Sequence, residues 1–242
     1  MIQLLYDDCV NALPRMASES FDFIFCDPWY EFPKKGRQYK LPNTSYKGTG
    51  KKEAAADPDV WMKECYRLLK PSGNMIVMTT FHGVGRVEAN AMQAGFEKEY
   101  YRDIITWWKT NPMPCVHCSN LTHATEFMSW FTKGPNYYFD YLYTKSITGK
   151  QHHNVLHRPI CSYPEFVKDE DNKVVCQQQK PLWLLQFLLN AFCPPSGRVL
   201  DPFSGVATAL MACRETGRNG IGIENDPKVY WHAHNRLWGE VA

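Results

Sequence analysis

Short apolar runs of strand length alternate along this chain with stretches of helical period. Residues 2–5, 21–26, 74–79, 103–108, 198–200 and 221–223 are the apolar runs, and each predicts a strand. Between them, 60–69, 86–93, 181–192, 207–216 and 227–237 repeat apolar residues every three to four positions, which predicts helices with one buried face. Pro181 and Pro227 open two of these stretches, and proline suits a first helical turn because no N–H is needed there. Strands and helices in alternation predict an α/β fold with a mostly parallel sheet and helices on both faces.

Two stretches break the rhythm. Residues 31–59 have no periodicity and are rich in Gly, Pro, Lys and Asn. Within them lie seven basic residues, Lys34, Lys35, Arg37, Lys40, Lys47, Lys51 and Lys52, with no acid between the first and the last. The second stretch, 136–178, is polar and rich in His and Tyr. No repeat or low-complexity tract is present.

Composition narrows the class. The 242 residues suffice for one sizeable domain with a small insertion, and 44% hydrophobic with 21% charged residues is ordinary globular usage. A net charge of +2 excludes a protein held on nucleic acid by bulk charge, and leaves room for a local basic patch. No apolar run is long enough to span a bilayer, and Met1-Ile2-Gln3 is not followed by the basic and apolar regions of an export signal. The expectation is a cytoplasmic protein with no membrane partner. The nine cysteines, several within apolar runs (Cys26, Cys193, Cys213), are expected as reduced and mostly buried thiols.

Chemistry concentrates in two places. Asp27-Pro28-Trp29-Tyr30 follows an apolar run directly. A carboxylate can accept from an amine, the proline carbonyl is free to accept, and two aromatics can stack on a flat ring. Together they suit a planar base that carries an exocyclic amino group. The second place is Asp201-Pro202-Phe203-Ser204-Gly205-Val206-Ala207-Thr208, a strand, a tight turn and a helix start. A helix N-terminus presents free N–H groups and a positive dipole end. Glu224 follows Gly205 by nineteen residues, at the end of the next strand. An acid at that spacing can accept from both hydroxyls of a ribose. The turn lacks the three-glycine dinucleotide pattern and a Gly-Lys-Ser/Thr phosphate loop, which disfavours NAD and ATP. A cofactor with a ribose and no phosphate fits better, and S-adenosylmethionine is the obvious candidate. A plain strand-to-helix turn beside a surface glutamate would share the same spacing.

Taken together, these residues resemble the β-group of DNA amino-methyltransferases, which methylate adenine N6 or cytosine N4. The resemblance runs over most of the chain. Asp8-Cys9 with Leu13-Pro14 is similar to the opening segment of the family. Residues 21–30 are similar to its catalytic segment, usually Asp-Pro-Pro-Tyr. Residues 61–73, with Arg67-Leu68-Leu69-Lys70-Pro71, match the next block, and Trp108-Lys109-Thr110-Asn111-Pro112 with Glu126 the one after. Gln179-Lys180-Pro181 and Asp201-Pro202-Phe203-Ser204-Gly205 match the cofactor end. The catalytic segment precedes the cofactor turn, as in that group. Two positions depart from the pattern. Trp29 replaces the second proline, and Val206-Ala207-Thr208 replaces a Ser/Thr-Gly-Thr run.

The resemblance implies a Rossmann-like methyltransferase fold with a circularly permuted motif order and a small target-recognition insert. Residues 1–135 would form the catalytic half, including the basic loop 31–59. Residues 136–178 would form the insert and 179–242 the cofactor half. Asp27 and the Pro28 carbonyl would each accept one amino N–H, and Tyr30 with Trp29 would stack on the extruded base. Asp8 and Cys9 would meet the adenine of the cofactor and Glu224 its ribose. Lys180, Asp201, Phe203, Gly205 and Thr208 would lie around its remainder. Lys34, Lys35, Arg37, Lys47, Lys51 and Lys52 would contact DNA phosphates from a mobile loop, with His152, His153 and Arg158 contributing from the insert.

The expected reaction is methyl transfer from S-adenosylmethionine, leaving S-adenosylhomocysteine, to adenine N6 of double-stranded DNA. No metal is required. Cys115-Val116-His117-Cys118 has a metal-like look, but a second ligand pair at zinc spacing is missing. Pro114-Cys115 as a cytosine-C5 nucleophile would leave Asp27-Pro28 without a role. Cytosine N4 is the alternative target; such enzymes more often carry Ser at the position of Asp27, so Asp27 favours adenine. An inactive DNA-binding module with the same fold is the alternative from another class. A homodimer and a cognate restriction endonuclease are compatible with the resemblance as partners, and the sequence displays neither.

Overall fold

The computed structural model describes residues 1–28, 58–115, 118–119 and 121–239. Among them, eight strands form one sheet. These are β1 (Ile2–Tyr6), β2 (Phe21–Cys26), β3 (Leu69–Thr79), β4 (Tyr101–Lys109), β5 (Thr125–Thr132), β6 (Val155–Arg158), β7 (Arg198–Asp201) and β8 (Asn219–Glu224). The helices are α1 (Cys9–Ala12), α2 (Pro58–Leu68), α3 (Val84–Ala94), α4 (Tyr141–Thr148), α5 (Leu182–Phe192), α6 (Thr208–Glu215) and α7 (Pro227–Trp238).

The strands lie in the order β1-β8-β7-β2-β3-β5-β4-β6. Neighbours are parallel except at β5, which runs against both β3 and β4. The expected α/β fold with a mostly parallel sheet is therefore what the chain adopts. Both faces of the central strands are buried. On β2, Ile24 and Cys26 pack with Trp61, Met62 and Cys65 of α2, while Phe23 and Phe25 pack with Leu184, Leu185 and Leu188 of α5. A strand covered on both sides reads as an unbroken apolar run rather than an alternating one.

The order of the strands fixes where a ligand can sit. From β7 the chain steps to β8 on one side, and from β2 it steps to β3 on the other. Between β2 and β7 lies the switch point, where the connections diverge and open a crevice outside the carboxyl ends of the strands. Asp27-Pro28 follows β2 at that edge and Asp201-Pro202 closes β7 beside it.

Four elements go beyond those expected from the sequence: the short helix α1, β5, β6 and α4. In β5, Thr and Ser interrupt the apolar residues; Ser129 and Thr132 are nonetheless buried between β3 and β4. Strand β6 and helix α4 lie inside the polar stretch 136–178. Four residues of β6 extend the sheet by pairing with 106–109 of β4, and α4 packs on α5. The signal for α4 is local: Asp140 caps it by accepting from the Tyr143 N–H at 2.8 Å, and Gly149 ends it in the left-handed region.

Candidate active site

Four acids line the carboxyl edge of the sheet in strand order: Asp8 after β1, Glu224 ending β8, Asp201 ending β7 and Asp27 after β2. Asp8 caps α1, accepting from the Val10 N–H at 3.0 Å, and lies near the Asn225 amide at 3.4 Å. Cys9 is buried behind it, and burial with the neighbouring Asp8 charge pushes its thiol up to about 12. Glu224 accepts from the Asp226 N–H at 2.8 Å. Burial raises its carboxyl, against the pull of the Asp226 and Gly205 N–H groups. The strand-end glutamate thus stands against the glycine turn of the adjacent strand.

Asp201 is buried and accepts from the Phe203 N–H at 3.0 Å. Burial pushes its carboxyl up to about 8; the Phe203 N–H opposes this, and the Asp27 and Glu224 carboxylates add to it. Phe203 packs edge-on against Trp61, centroids 5.1 Å apart. At Gly205 φ is 51°, and among the described residues a Cβ placed there would meet only Cys176 Sγ, at 3.9 Å. The turn is therefore open above Gly205. Gly222 on β8 is needed for close approach, since a Cβ there would lie 2.4 Å from Ser204 Oγ.

The departure at Ala207 has a clear structural counterpart. Ala207 takes φ 62° and ψ 34°, the left-handed region where glycine is favoured, at the N-cap of α6. It is fully buried in a cluster with Leu4, Leu210, Ala233 and Leu237. Its methyl group thus fills core between α6, α7 and β1. Arg236 of α7 holds the same turn, donating to the Val206 carbonyl at 2.9 Å and to Thr208 Oγ1 at 3.0 Å.

On the other side of the switch point, Asp27 meets Lys180. Lys180 Nζ is 2.9 Å from Asp27 Oδ2 and 3.4 Å from Glu126 Oε2, and Lys109 Nζ is 2.6 Å from Glu126 Oε1. Side-chain exposures of 11% for Lys180, 20% for Asp27, 19% for Glu126 and 17% for Lys109 leave this chain of charges little solvent. Burial raises the Asp27 carboxyl, Lys180 opposes it and Glu126 reinforces it. Burial also acts to raise Glu126, but Lys180 and Lys109 outweigh it and hold that carboxyl below its ordinary value. Burial acts to lower the Lys180 ammonium, and its two acids overcome this and raise it.

Local structure sets Lys180 in place. Gln179 donates to the Glu165 carbonyl and accepts from the Val167 N–H, both at 2.9 Å, and the Glu165 carboxylate accepts from the Leu182 N–H at the start of α5. Glu126 reaches the same edge because β5 is antiparallel: its first residues lie where its neighbours end. From the sequence, Lys109 and Glu126 belong to a family block without a role, and Lys180 is assigned to the cofactor. A pairing between side chains of three separate elements leaves no periodic signal.

Trp29, Tyr30, Lys34, Lys35, Arg37, Lys47, Lys51 and Lys52 lie outside the described residues, as does most of the expected loop 31–59. His152, His153 and Arg158 are described, and they lie beside β6 at the sheet's edge. Four strand spacings separate β6 from β2, about 20 Å. They line a groove of about 840 Å³ with Tyr143, Trp183 and Phe187. His152 lies 5.4 Å from the Phe187 ring, and Arg158 sits 4.9 Å over Trp183. Trp108 and His157, both exposed, stack at 4.3 Å on the same edge. Among the described residues no group of three His, Cys, Asp or Glu could hold a metal ion, and no helix is long and apolar enough to cross a membrane.

The sequence matches the DNA methylase family over residues 21–234. The chain belongs to the N6/N4 DNA methylase family. It is 30% identical to the type II methyltransferase M.HinfI of Haemophilus influenzae, over 97% of this chain and 67% of that one. Among solved structures, it resembles the complex of M1.HpyAVI with S-adenosylmethionine, with a TM-score of 0.68 at 23% identity, over 98% of this chain and all of that one. It also resembles the cytosine-N4-specific PvuII DNA methyltransferase, with a TM-score of 0.73 at 16% identity, over 100% and 88% of the two chains. In this chain the carboxylate segment after β2 precedes the glycine turn after β7, the order expected from the sequence.

Proposed function

We propose that this chain transfers the methyl group of S-adenosylmethionine to the exocyclic N6 of an adenine extruded from double-stranded DNA. The observation that carries this reading is the pairing of β2 with β7 at the switch point, which sets Asp27-Pro28 beside the open glycine turn. The residues around that turn suit the cofactor. Glu224 and Asp8 offer acceptors for ribose and adenine. Asp201 and Asp27 offer carboxyl oxygens to an ammonium and a sulfonium. The space above Gly205 admits close approach to the backbone. When bound, S-adenosylmethionine supplies an electrophilic methyl carbon.

The amino nitrogen of adenine is a weak nucleophile because its lone pair is delocalised into the ring. Asp27 and the Pro28 carbonyl each accept one of its N–H groups, which favours the pyramidal nitrogen and aims its lone pair. As the new N–C bond formed and the bond from that methyl carbon to sulfur broke, one nitrogen proton would leave through the hydrogen bond to Asp27. Trp29 and Tyr30 stack on the extruded base, which offsets part of the cost of unstacking it. Lys34, Lys35, Arg37, Lys47, Lys51 and Lys52 bind phosphates next to the catalytic segment. His152, His153 and Arg158 meet the duplex farther along the edge, so that 136–178 serves as the target-recognition insert. Asp27 in place of Ser favours adenine over cytosine.

The test is incubation of double-stranded DNA with the protein and S-adenosylmethionine, then nucleoside mass spectrometry. N6-methyl-2′-deoxyadenosine is the expected product. N4-methylcytosine would move the reading to the cytosine branch, and unmodified DNA would overturn it.

A further inference from the structure

Lys109, Glu126, Lys180 and Asp27 form a row of alternating charges that runs from the end of β4, across the start of β5 and the segment before α5, to the end of β2. The row sums to zero. Each member is mostly screened from water, so its neighbours rather than solvent set its charge. Lys180 is shared: its ammonium lies within ion-pair distance of both acids. Its hold on Asp27 matters to the reaction proposed above, because an oxygen engaged by an ammonium is a poorer acceptor for an amino N–H. With Asp27 as its sole acid, Lys180 would bind there fully. Glu126 supplies a second acid within reach of the same ammonium, and Lys109 anchors Glu126 so that it stays there.

We infer that Glu126 is a positioning residue for catalysis: held by Lys109, it draws Lys180 partly off Asp27 and so leaves an Asp27 oxygen for the target amine. Resting on the proposed methyl transfer, the inference assigns a task to two residues of β4 and β5, Lys109 and Glu126, that the sequence leaves without a role. It also gives Lys180 a second duty. The ammonium keeps Asp27 ionised against the burial that would neutralise it, and Glu126 prevents that same ammonium from occupying the carboxylate.

Among the described residues, the groups facing Asp27 are Lys180, Glu126 and Lys109, with Asp201 on β7 and Cys176 on the loop before Lys180. Removing the negative charge of Glu126 strips a repulsion from Asp27 and leaves Lys180 to it alone, so the Asp27 titration must fall. Removing the positive charge of Lys180 must raise it. Charge alone gives these opposite signs, so the effect on kcat decides whether the row serves catalysis.

The experiment uses the full chain and two readouts. Carboxyl-carbon NMR follows the Asp27 titration in wild type, Glu126→Gln and Lys180→Met. The expected shifts are about half to one pH unit downward in Glu126→Gln and at least as far upward in Lys180→Met. Steady-state methylation is expected to show kcat lowered about 100-fold in Glu126→Gln, with S-adenosylmethionine affinity within about twofold by calorimetry. Glu126→Asp should recover at least about a tenth of the lost rate, and serves where Glu126→Gln fails to fold. An Asp27 titration unmoved in Glu126→Gln, or a kcat within about twofold of wild type, overturns the inference. A wild type that binds the cofactor yet modifies no DNA would sink the proposed function instead, and the NMR titrations would still decide whether the row controls Asp27.

Discussion

Lys180 Nζ sits 2.9 Å from Asp27 Oδ2, which ties the segment before α5 to the end of β2. The two halves of the site, one from each end of the sequence, are thereby linked by a charge pair as well as by the pairing of β2 with β7. Losing Asp27 leaves Lys180 with Glu126 as a partner, so the fold should survive the loss. Asp27→Ala is expected to lower methyl transfer by about 1000-fold or more while Tm moves by only a few degrees. Radiolabelled methyl incorporation and a thermal melt check this, and a variant that retains full activity would remove Asp27 from the mechanism.

Asp201 titrates at about 8 in the folded protein, chiefly because it is buried. An unfolded chain releases the same proton near pH 4. Between these values the folded state holds a proton that the unfolded state has lost, so stability falls as pH rises. The contribution is complete below about pH 4 and gone once the pH passes about 8. Urea midpoints should drop from pH 5 to pH 9, and Asp201→Asn should flatten that decline. An equally steep decline in the variant would contradict the assignment.

Ala207 carries a methyl group at a positive φ and buries it among Leu4, Leu210, Ala233 and Leu237. Ala207→Gly relieves roughly 1 kcal/mol of backbone strain and loses roughly as much buried methyl, so stability should change by less than about 1 kcal/mol. Ala207→Val adds β-branching where neither the backbone nor the core has room, and should cost about 2–4 kcal/mol. Equilibrium urea unfolding of both variants decides the matter. A valine variant as stable as the parent would mean that the turn is looser than its burial indicates.

Reversing the charges of Lys34, Lys35 and Lys51 should weaken DNA binding and flatten its dependence on salt. Every phosphate that is no longer neutralised by a lysine lowers the slope of log affinity against log salt by roughly 0.9. Fluorescence anisotropy with a labelled duplex at several salt concentrations is the measurement. An unchanged slope would relegate the basic segment to ordinary surface.

The parts of this molecule that are legible in the sequence are those in which chemistry and chain periodicity coincide. Strand β2 announces itself as an apolar run because both of its faces are covered, and Asp27 is conspicuous as the first acid after it. Gly205 and Glu224 are legible through a spacing that the β7–β8 pairing imposes. By contrast, β5 hides behind its Ser and Thr residues, and β6 is too short to stand out from its polar surroundings. The link from Lys109 through Glu126 to Lys180 is invisible for a different reason. It depends on three elements meeting at one edge, and nothing in the local sequence of any of them encodes the other two.

The direction of β5 has a consequence for how this chain can change. Because Glu126 stands at the beginning of its strand, the connection from residue 110 to 124 leads into the catalytic row instead of away from it. The register of β5 is secured by β3 on one side and β4 on the other. Segments of different length or composition can therefore be grafted into that connection without displacing Glu126.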